Sequence, residues 1–514
     1  MWVERFFRWG MYALFLCAFA LVSLRLFFPA VWGEIVVFVQ HEEVVIVETP
    51  SVVKFIFPEE PVSLDPTSSD IPTRQRLINI YQPLIEFDRD LNLRPALAVN
   101  WGLIDELTWE FDLRPGVTFH DGSIFDADDV IYSLASVRKN DTSSLKGLVE
   151  TVSSVEKISD SRLRIKTSSP DPLLLQKLSQ VFMIADGSDL KSLSVTPVGT
   201  GPYRFKSWAK GEKFIVEGFA EYWGRKSSYQ QVEVFAITNK FERVELFLSG
   251  GANFLSFVPY DSVAAVQSRG FEVVAVPSLE VQFLLFNFLN NTSLDKVKRQ
   301  VISLVVDQEE LVTRVGGYAR AVTQYVSSGV FGFNPQIKKH EYDLEKAFDL
   351  VQEFDLAGET FRFALPQGLT LLGDYVSEQL VKVGINVEVL YLDGNAFFDS
   401  LKKGSADFYF LGFRSDLGDA GNFLMSLPFS KGEFNFTKYS HETVDDLITQ
   451  SLVEFDVRDR LSQLQQAMRV IVEDDYWGVP LFEYETLYSF SSNFEFMPRI
   501  DGQVFFDDLI FKGQ

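Results

Sequence analysis

Thr108-Trp109-Glu110-Phe111-Asp112-Leu113-Arg114-Pro115-Gly116-Val117-Thr118-Phe119-His120-Asp121-Gly122 packs two strand signals and two turns into one short stretch. The residues from Thr108 to Leu113 alternate in polarity and predict a strand. Pro115-Gly116 predicts a turn, Val117-Thr118-Phe119 a second short strand, and Asp121-Gly122 a second turn, because Asp is a good turn residue and Gly tolerates positive φ. From Asp126 to Arg138 the segment opens on acidic residues and carries Val130, Ile131, Leu134 and Val137 at helical spacing, which predicts a helix. Strands and a helix so closely alternated point to a mixed α/β protein.

The same mixture runs in both directions. Glu34 to Phe57 is rich in Val, Ile and Phe and predicts strands. Arg74 to Phe87 predicts a helix that ends near Pro83, Val152 to Lys166 a hairpin, and Pro172 to Val181 a helix. Val281 to Phe288 is a continuous apolar run, the pattern of a strand buried on both faces. Asp295 to Arg314 predicts one helix, with Val297, Val301, Leu304 and Val305 on one side. Tyr342 to Phe354 predicts another. Leu371 to Val383 predicts a helix stopped by Gly384, and Ile385 to Val389 then alternates as a strand, an α/β unit. Ala406 to Phe413 predicts a further strand, and Thr443 to Val453 and Arg460 to Val472 predict helices. No internal repeat is present.

The chain of 514 residues is long enough for two or more lobes. Its formal net charge of −24 disfavours a phosphate backbone as partner, and no basic stretch with interleaved aromatics occurs. Nucleic acid is therefore not an expected partner. Phe is unusually frequent, at 49 residues. The single cysteine, Cys17, excludes an intrachain disulfide. Arg5 and Arg8 precede an apolar stretch from Trp9 to Trp32 interrupted by Arg25, and roughly twenty apolar residues span a bilayer as helix. An uncleaved signal anchor with the bulk of the chain outside the cell is the leading reading. A signal peptide cleaved after Ala18-Phe19-Ala20 and a lipid-modified Cys17 are the other two. No Gly-Lys dipeptide, Gly-x-Ser-x-Gly or His-Glu-x-x-His motif occurs, so nothing in the sequence demands catalysis. No cofactor is expected, and the four histidines His41, His120, His340 and His441 are scattered rather than spaced as a metal site.

Several segments, in order, resemble the family 5 class of solute-binding proteins of ABC transporters, the dipeptide and oligopeptide binders. They include Pro61-Val62-Ser63-Leu64-Asp65-Pro66, Asn79-Ile80-Tyr81-Gln82-Pro83-Leu84, and Leu93 to Ala98 with Trp101. They continue with the Thr108 to Gly122 stretch, Ala127-Asp128-Asp129-Val130, Gly199-Thr200-Gly201-Pro202-Tyr203, Tyr222-Trp223, Tyr342 to Ala347, and Asp407-Phe408 leading into Phe413 to Phe423. The resemblance covers the chain from about Val53 almost to the C-terminus. It implies a two-lobed periplasmic-binding-protein-like α/β fold of type II with an extra subdomain. The implied organisation is an N-terminal membrane anchor or signal segment at 1–33, lobe I from 34–77, 191–285 and 483–514, the additional subdomain at 78–190, and lobe II at 286–482. Ligand would bind between the lobes, and Gly199-Thr200-Gly201-Pro202 would let the chain cross tightly between them.

For function, the resemblance implies capture of a peptide and its delivery to an ABC permease with separate ATPase subunits, by a monomer. The implied ligand contacts are Asp416, Phe413, Arg414 and Tyr81. In Phe413-Arg414-Ser415-Asp416-Leu417-Gly418-Asp419-Ala420, the first Asp maps to the residue that pairs with the peptide's α-ammonium, and Asp419 is expected to hold the loop. Asp416 capping its own loop is the competing structural reading, and Arg414 meets a ligand carboxylate or simply balances Asp416. The sequence departs from the family pattern in Phe413, where Trp is common, and in Ala420, where Pro is common. Oligosaccharides, metal chelates, a partner protein bound without transport, and a hydrolase with a non-local carboxylate pair remain alternatives at this level.

Overall fold

The structure, a computed structural model, describes residues 49–289 and 294–513. The apolar stretch 9–32 and the strands expected before residue 49 lie outside the described residues. Among the described ones, no helix is long and apolar enough to cross a membrane.

One mixed sheet runs through the described chain. From one edge its strands are Asn386–Leu392, Thr360–Pro366, Phe408–Arg414, Glu272–Phe286, Gly478–Phe490, Phe254–Ser256, Val52–Phe57, Gln231–Ala236, Lys213–Gly218 and Tyr203–Ala209, with Ala319–Ala321 pairing beside Gly478–Phe490. Asn386–Leu392 lies parallel to Thr360–Pro366, with the helix Thr370–Lys382 as the crossover, so the predicted α/β unit forms. Val52–Phe57 is likewise parallel to Gln231–Ala236. Glu272–Phe286 and Gly478–Phe490 are the longest strands and run antiparallel through the middle, joining the two lobes.

The apolar runs in these strands are explained by burial on both faces. Val281, Phe283 and Leu285 enter one core with Tyr409, Phe423 and Trp477. Leu284 and Phe286 enter another with Phe408, Phe410 and Phe363. In the other lobe, Phe55 and Phe57 face one core and Ile56 the opposite one. Successive strand side chains point to opposite faces, so a strand with a core on each side needs no polar alternation. Much of the abundant Phe packs here, as in the contacts of Phe283 with Tyr325, Phe423 and Trp477 at centroid distances of 5.3, 6.1 and 5.6 Å.

The pairing of the two long strands is irregular twice. Ser278 to Glu280 bulges out between the pairs Pro277–Glu485 and Val281–Glu483, with buried Leu279 at a φ of 62°. A second break follows between Gln282 and Phe283, opposite Leu481. There the neighbouring residues Leu481 and Phe482 both join the same core.

Residues 98–167 form a separate antiparallel sheet in the order Ala98–Asp105, Thr108–Leu113, Arg162–Thr167, Val152–Ser159, which contains the predicted hairpin. The helix Ala127–Lys139 packs Val130, Leu134 and Val137 onto it. Asp126 caps this helix, and Asp129 returns a hydrogen bond from the Asp126 amide at 2.7 Å.

Three sequence expectations are corrected. Val117 to Phe119 forms only an isolated bridge between Thr118 and Ile124. The helix expected from Arg74 to Phe87 is Ile71–Leu77, because the carbonyls of Asn79 and Ile80 are taken by the amides of Tyr203 and Gly201 at 3.1 and 2.8 Å; Ile85–Phe87 is then a strand. Asp295 to Arg314 is two helices, Lys296–Leu304 and Gln308–Arg314, because Asp307 adopts extended backbone and caps the second. Gly199 and Gly201 press closely against Ile80 and Asn79. A Cβ at Gly199 would fall 2.1 Å from the Ile80 carbonyl oxygen, and one at Gly201 2.7 Å from that of Asn79.

His120 holds this tight approach. Its Nδ1 accepts from the Gly199 amide at 3.2 Å, and its Nε2 lies 3.0 Å from the Gly201 carbonyl, so the geometry fits the neutral ring protonated on Nε2. Adding a proton to Nδ1 would destroy the first bond. Burial pushes the pKa from 6.5 down to about 4. Between those values the unfolded chain binds the proton and the folded one does not, so stability falls as pH drops through this window, by on the order of 3 kcal/mol from this group. Urea titrations from pH 7 to 4 should show a smaller acid-induced loss in His120→Gln than in the parent; identical pH dependence would remove the assignment.

Candidate functional site

The strand Phe408–Arg414 ends beside the bulge of the first long strand, and the chain turns through Ser415 to Asp419 into the helix Ala420–Ser426. Both ends of this turn are fixed. The Ser415 amide donates to the Leu279 carbonyl at 3.1 Å, and the Gly418 amide to the Ser415 carbonyl at 2.9 Å. The Gly418 carbonyl accepts from the Phe331 amide at 2.9 Å. Gly418 has a φ of 61°, which favours glycine.

Asp419 is fully buried and caps the helix through the Gly421 amide at 2.7 Å. Its carboxylate also takes two bonds from Arg460, Nη1 to Oδ2 at 2.6 Å and Nη2 to Oδ1 at 2.9 Å. This is the loop-holding position expected of it. Arg460 in turn donates Nε to the Ser451 carbonyl at 3.1 Å, which ties the turn to the helix Glu442–Ser451.

Asp416 has the opposite setting. Its side chain is 60% exposed, and Oδ1 accepts from Arg414 Nε at 2.6 Å. Arg414 also donates Nη1 to the Ser278 carbonyl at 2.7 Å and Nη2 to the Asp501 carbonyl at 2.6 Å. The Asp416 carboxylate is thus held by a guanidinium that is itself fixed to the bulge and to the C-terminal segment.

Arg414 and Asp416 line a cavity of about 920 Å3. Its wall comes from both lobes and includes Arg74, Gln75, Ile78, Gln180, Met425, Phe434 and Gln503. A smaller cavity of about 120 Å3 shares Arg74, Ile78, Gln180 and Gln503 with it. Tyr81 lines the smaller cavity, almost fully buried, with its ring stacked on Phe182 at 5.8 Å and its hydroxyl accepting from the Val198 amide at 3.2 Å. Burial pushes its phenol pKa up. Phe413 is on neither cavity's described lining; its ring meets Phe423 edge-on at 5.2 Å and anchors the strand end in the core. Arg414 and Asp416 therefore line the larger cavity together, Tyr81 lines the smaller one, and Phe413 lines neither.

Arg74, Gln180 and Gln503 are cavity residues that the sequence did not single out. They come from three distant segments and carry no local motif. Among the described residues, no group of three or more His, Cys, Asp or Glu is placed to hold a metal ion. His340 is bonded to the Ser303 carbonyl at 2.9 Å instead.

The buried pair yields a direct expectation. Arg460→Met strands the Asp419 carboxylate without its counter-charge, and breaking one partner of a buried pair costs about 3–5 kcal/mol. Urea denaturation should show the loss; a change under about 1 kcal/mol would mean that the pair does not hold the turn.

Comparison with known proteins gives the arrangement its context. The family described as bacterial extracellular solute-binding proteins, family 5 Middle, matches residues 92–435. A dipeptide-binding protein of Escherichia coli (strain K12) is 24% identical over 445 residues, covering 77% of this chain and 82% of that protein. Among solved structures, the periplasmic murein tripeptide binding protein MppA in its unliganded open form superposes with a TM-score of 0.81 at 17% identity, covering 90% of this chain and 98% of that one. NikA from Brucella suis in complex with Fe(III)-EDTA also gives a TM-score of 0.81, at 21% identity over 90% of this chain and all of that one, at 100%. With its match extending over more than half of its length, the chain belongs to the family 5 bacterial extracellular solute-binding proteins, the binding components of ABC importers.

Proposed function

We propose that this protein captures short peptides in the cavity of about 920 Å3 and delivers them to a membrane permease driven by separate ATPase subunits. The observation that carries the reading is the contrast within one turn between buried, paired Asp419 and exposed Asp416 on the cavity wall. Only one Asp416 oxygen, Oδ1, accepts a hydrogen bond from the described residues. An α-ammonium entering the cavity would meet the other oxygen and gain a charge-assisted bond. Backbone groups of the ligand would supply affinity without strong side-chain selectivity. Arg414 positions Asp416 in this reading, and Tyr81 and Phe413 support the wall from behind.

Closure of the two lobes on the ligand follows from the same geometry, since the lining comes from both sides and only a closed state offers all of it. The permease would recognise that state. The domain limits read from the sequence, with lobe II spanning 286–482 and the subdomain 78–190, belong to this proposal. So does tethering through the apolar segment 9–32, for which the support is its length and its Arg5 and Arg8 flank. The relative bound to Fe(III)-EDTA makes a metal chelate the second ligand class to test.

Native mass spectrometry of the protein purified without denaturation, followed by fragmentation of what co-purifies, separates these classes. Short peptides are expected; a sugar or a chelate in their place would replace the peptide reading. Asp416→Asn should weaken a peptide with a free N-terminus by about 1.5–3 kcal/mol, the scale of a charged hydrogen bond. N-acetylation should weaken binding to the parent protein and change little in the variant. Calorimetry that finds acetylated and free peptides bound equally by the parent would remove Asp416 from this role.

A further inference from the structure

Two buried cores each supply part of the wall of the large cavity. Leu145 belongs to the core against the sheet of residues 98–167. Asn422 and Met425 lie on the helix Ala420–Ser426, whose Ala420, Phe423 and Leu424 enter the core around Phe283. Leu93 packs against both cores and joins them at one place. A second contact set away from that junction stops the two from swinging about it.

Trp109 and Phe455 make such a contact, with ring centroids 6.2 Å apart and planes at 60°. On the strand Thr108–Leu113 alternate residues share a face. Leu113 and Phe111 are buried in the core below that face, whereas Trp109 is only partly buried at its rim. Leu113 pairs with Ala98, close in the chain to Leu93, and Trp109 stands roughly 13 Å farther along the strand.

Phe455 reaches this rim from the connection between the helices Glu442–Ser451 and Val457–Arg469. It belongs to none of the cores, so its contact with Trp109 is not a by-product of core packing. The connection is held at both ends. Leu452 packs against the core around Phe283, and Asp456 accepts from the Arg458 and Asp459 amides at 2.9 and 3.1 Å. The Ser451 carbonyl takes Nε of Arg460, whose other nitrogens hold Asp419. The turn on the cavity wall and the connection carrying Phe455 are thus fixed to the same guanidinium. Parting the two walls would return both rings to water, which is unfavourable for apolar area. The contact therefore resists the motion by which a molecule between the walls escapes.

We propose that Trp109 and Phe455 form a clasp that holds the two walls together and slows release of the bound molecule without touching it. Both are positioning residues, since neither lines either cavity. This rests on the reading of the large cavity as a peptide site and adds what sets how long the peptide stays.

The test uses the full-length protein in detergent, with peptide drawn from a defined pool of di- to pentapeptides. Bound peptide is chased with an excess of the same sequence carrying heavy isotopes, and exchange is followed by native mass spectrometry. Phe455→Ala should release peptide about two- to tenfold faster, the ratio that one aromatic pair supplies. Its association rate should stay within about twofold of the parent's, because changes at such contacts act on dissociation. Phe455→Trp should restore slow release, and adding Trp109→Ala to Phe455→Ala should accelerate it no further. In a Cys17→Ser background, which removes the single native thiol, Trp109→Cys with Phe455→Cys can be bridged by a short bis-methanethiosulfonate and freed by dithiothreitol. The bridged protein should exchange peptide about tenfold or more slowly than the same sample after reduction, because the walls can no longer part. Each rate is read on molecules that hold peptide, so a lower yield of folded protein does not mimic the result. Equal exchange in the bridged and reduced forms overturns the clasp and leaves the peptide reading intact. An unchanged release rate in Phe455→Ala, or a pair of cysteines that the reagent does not bridge, also overturns it. Failure of the parent to bind any member of the pool overturns the peptide reading and this inference with it.

Discussion

The pairing of Glu272–Phe286 with Gly478–Phe490 is the constraint on which both walls of the cavity depend. The ladder runs from the cores that hold Leu487 and Tyr488 to those that hold Val281 and Leu284, so it fixes where one pair of cores stands against the other. Where the ladder fails, at Ser278 to Glu280, the freed backbone carbonyls need other donors, because a buried carbonyl without one is expensive. Arg414 supplies one to Ser278 and the Ser415 amide one to Leu279. The turn that carries Asp416 is therefore docked on the irregularity between the lobes.

The two acids of that turn show how burial sorts identical side chains. Asp419 has no exposure, a bidentate arginine and a helix amide, so both its oxygens are bonded within the protein. Asp416, three residues earlier, is exposed on the cavity wall, and only its Oδ1 accepts a hydrogen bond from the described residues. A rigid support is what makes an exposed carboxylate selective, since a floppy one would reorganise around any cation. The net charge of −24 says little about this site, where positive and negative groups both line the wall.

Strand and helix placement was legible wherever one physical signal dominated. The apolar run Val281 to Phe288 fell within the central strand Glu272–Phe286 as far as Phe286, and Leu371 to Val389 delivered its parallel unit because Gly384 stops the helix at a φ of 93°. The misread helix end at residues 78–87 has a non-local cause: backbone groups found partners far along the chain. Asn79 and Ile80 answer to Tyr203 and Gly201, and no window around residue 79 contains that information. The site divides in the same way. The turn from Phe413 to Asp419 is local and was visible through its resemblance to a known family. Arg74, Gln180 and Gln503 meet only through the fold, and the role of His120 as a brace for Gly199 and Gly201 is equally non-local.

The second irregularity in the long strands has a consequence for heredity. Leu481 and Phe482 are sequence neighbours that face one core because an extra residue is accommodated there. Beyond it, Leu487 points into one core and Tyr488 and Phe490 into the opposite one. Losing a single codon between Pro480 and Phe482 would exchange those faces along the rest of the strand, burying what should sit on the other side. Substitutions in this segment can be tried one at a time, but its length cannot drift, and an insertion or deletion there would have to be matched by another before the same shape could be inherited.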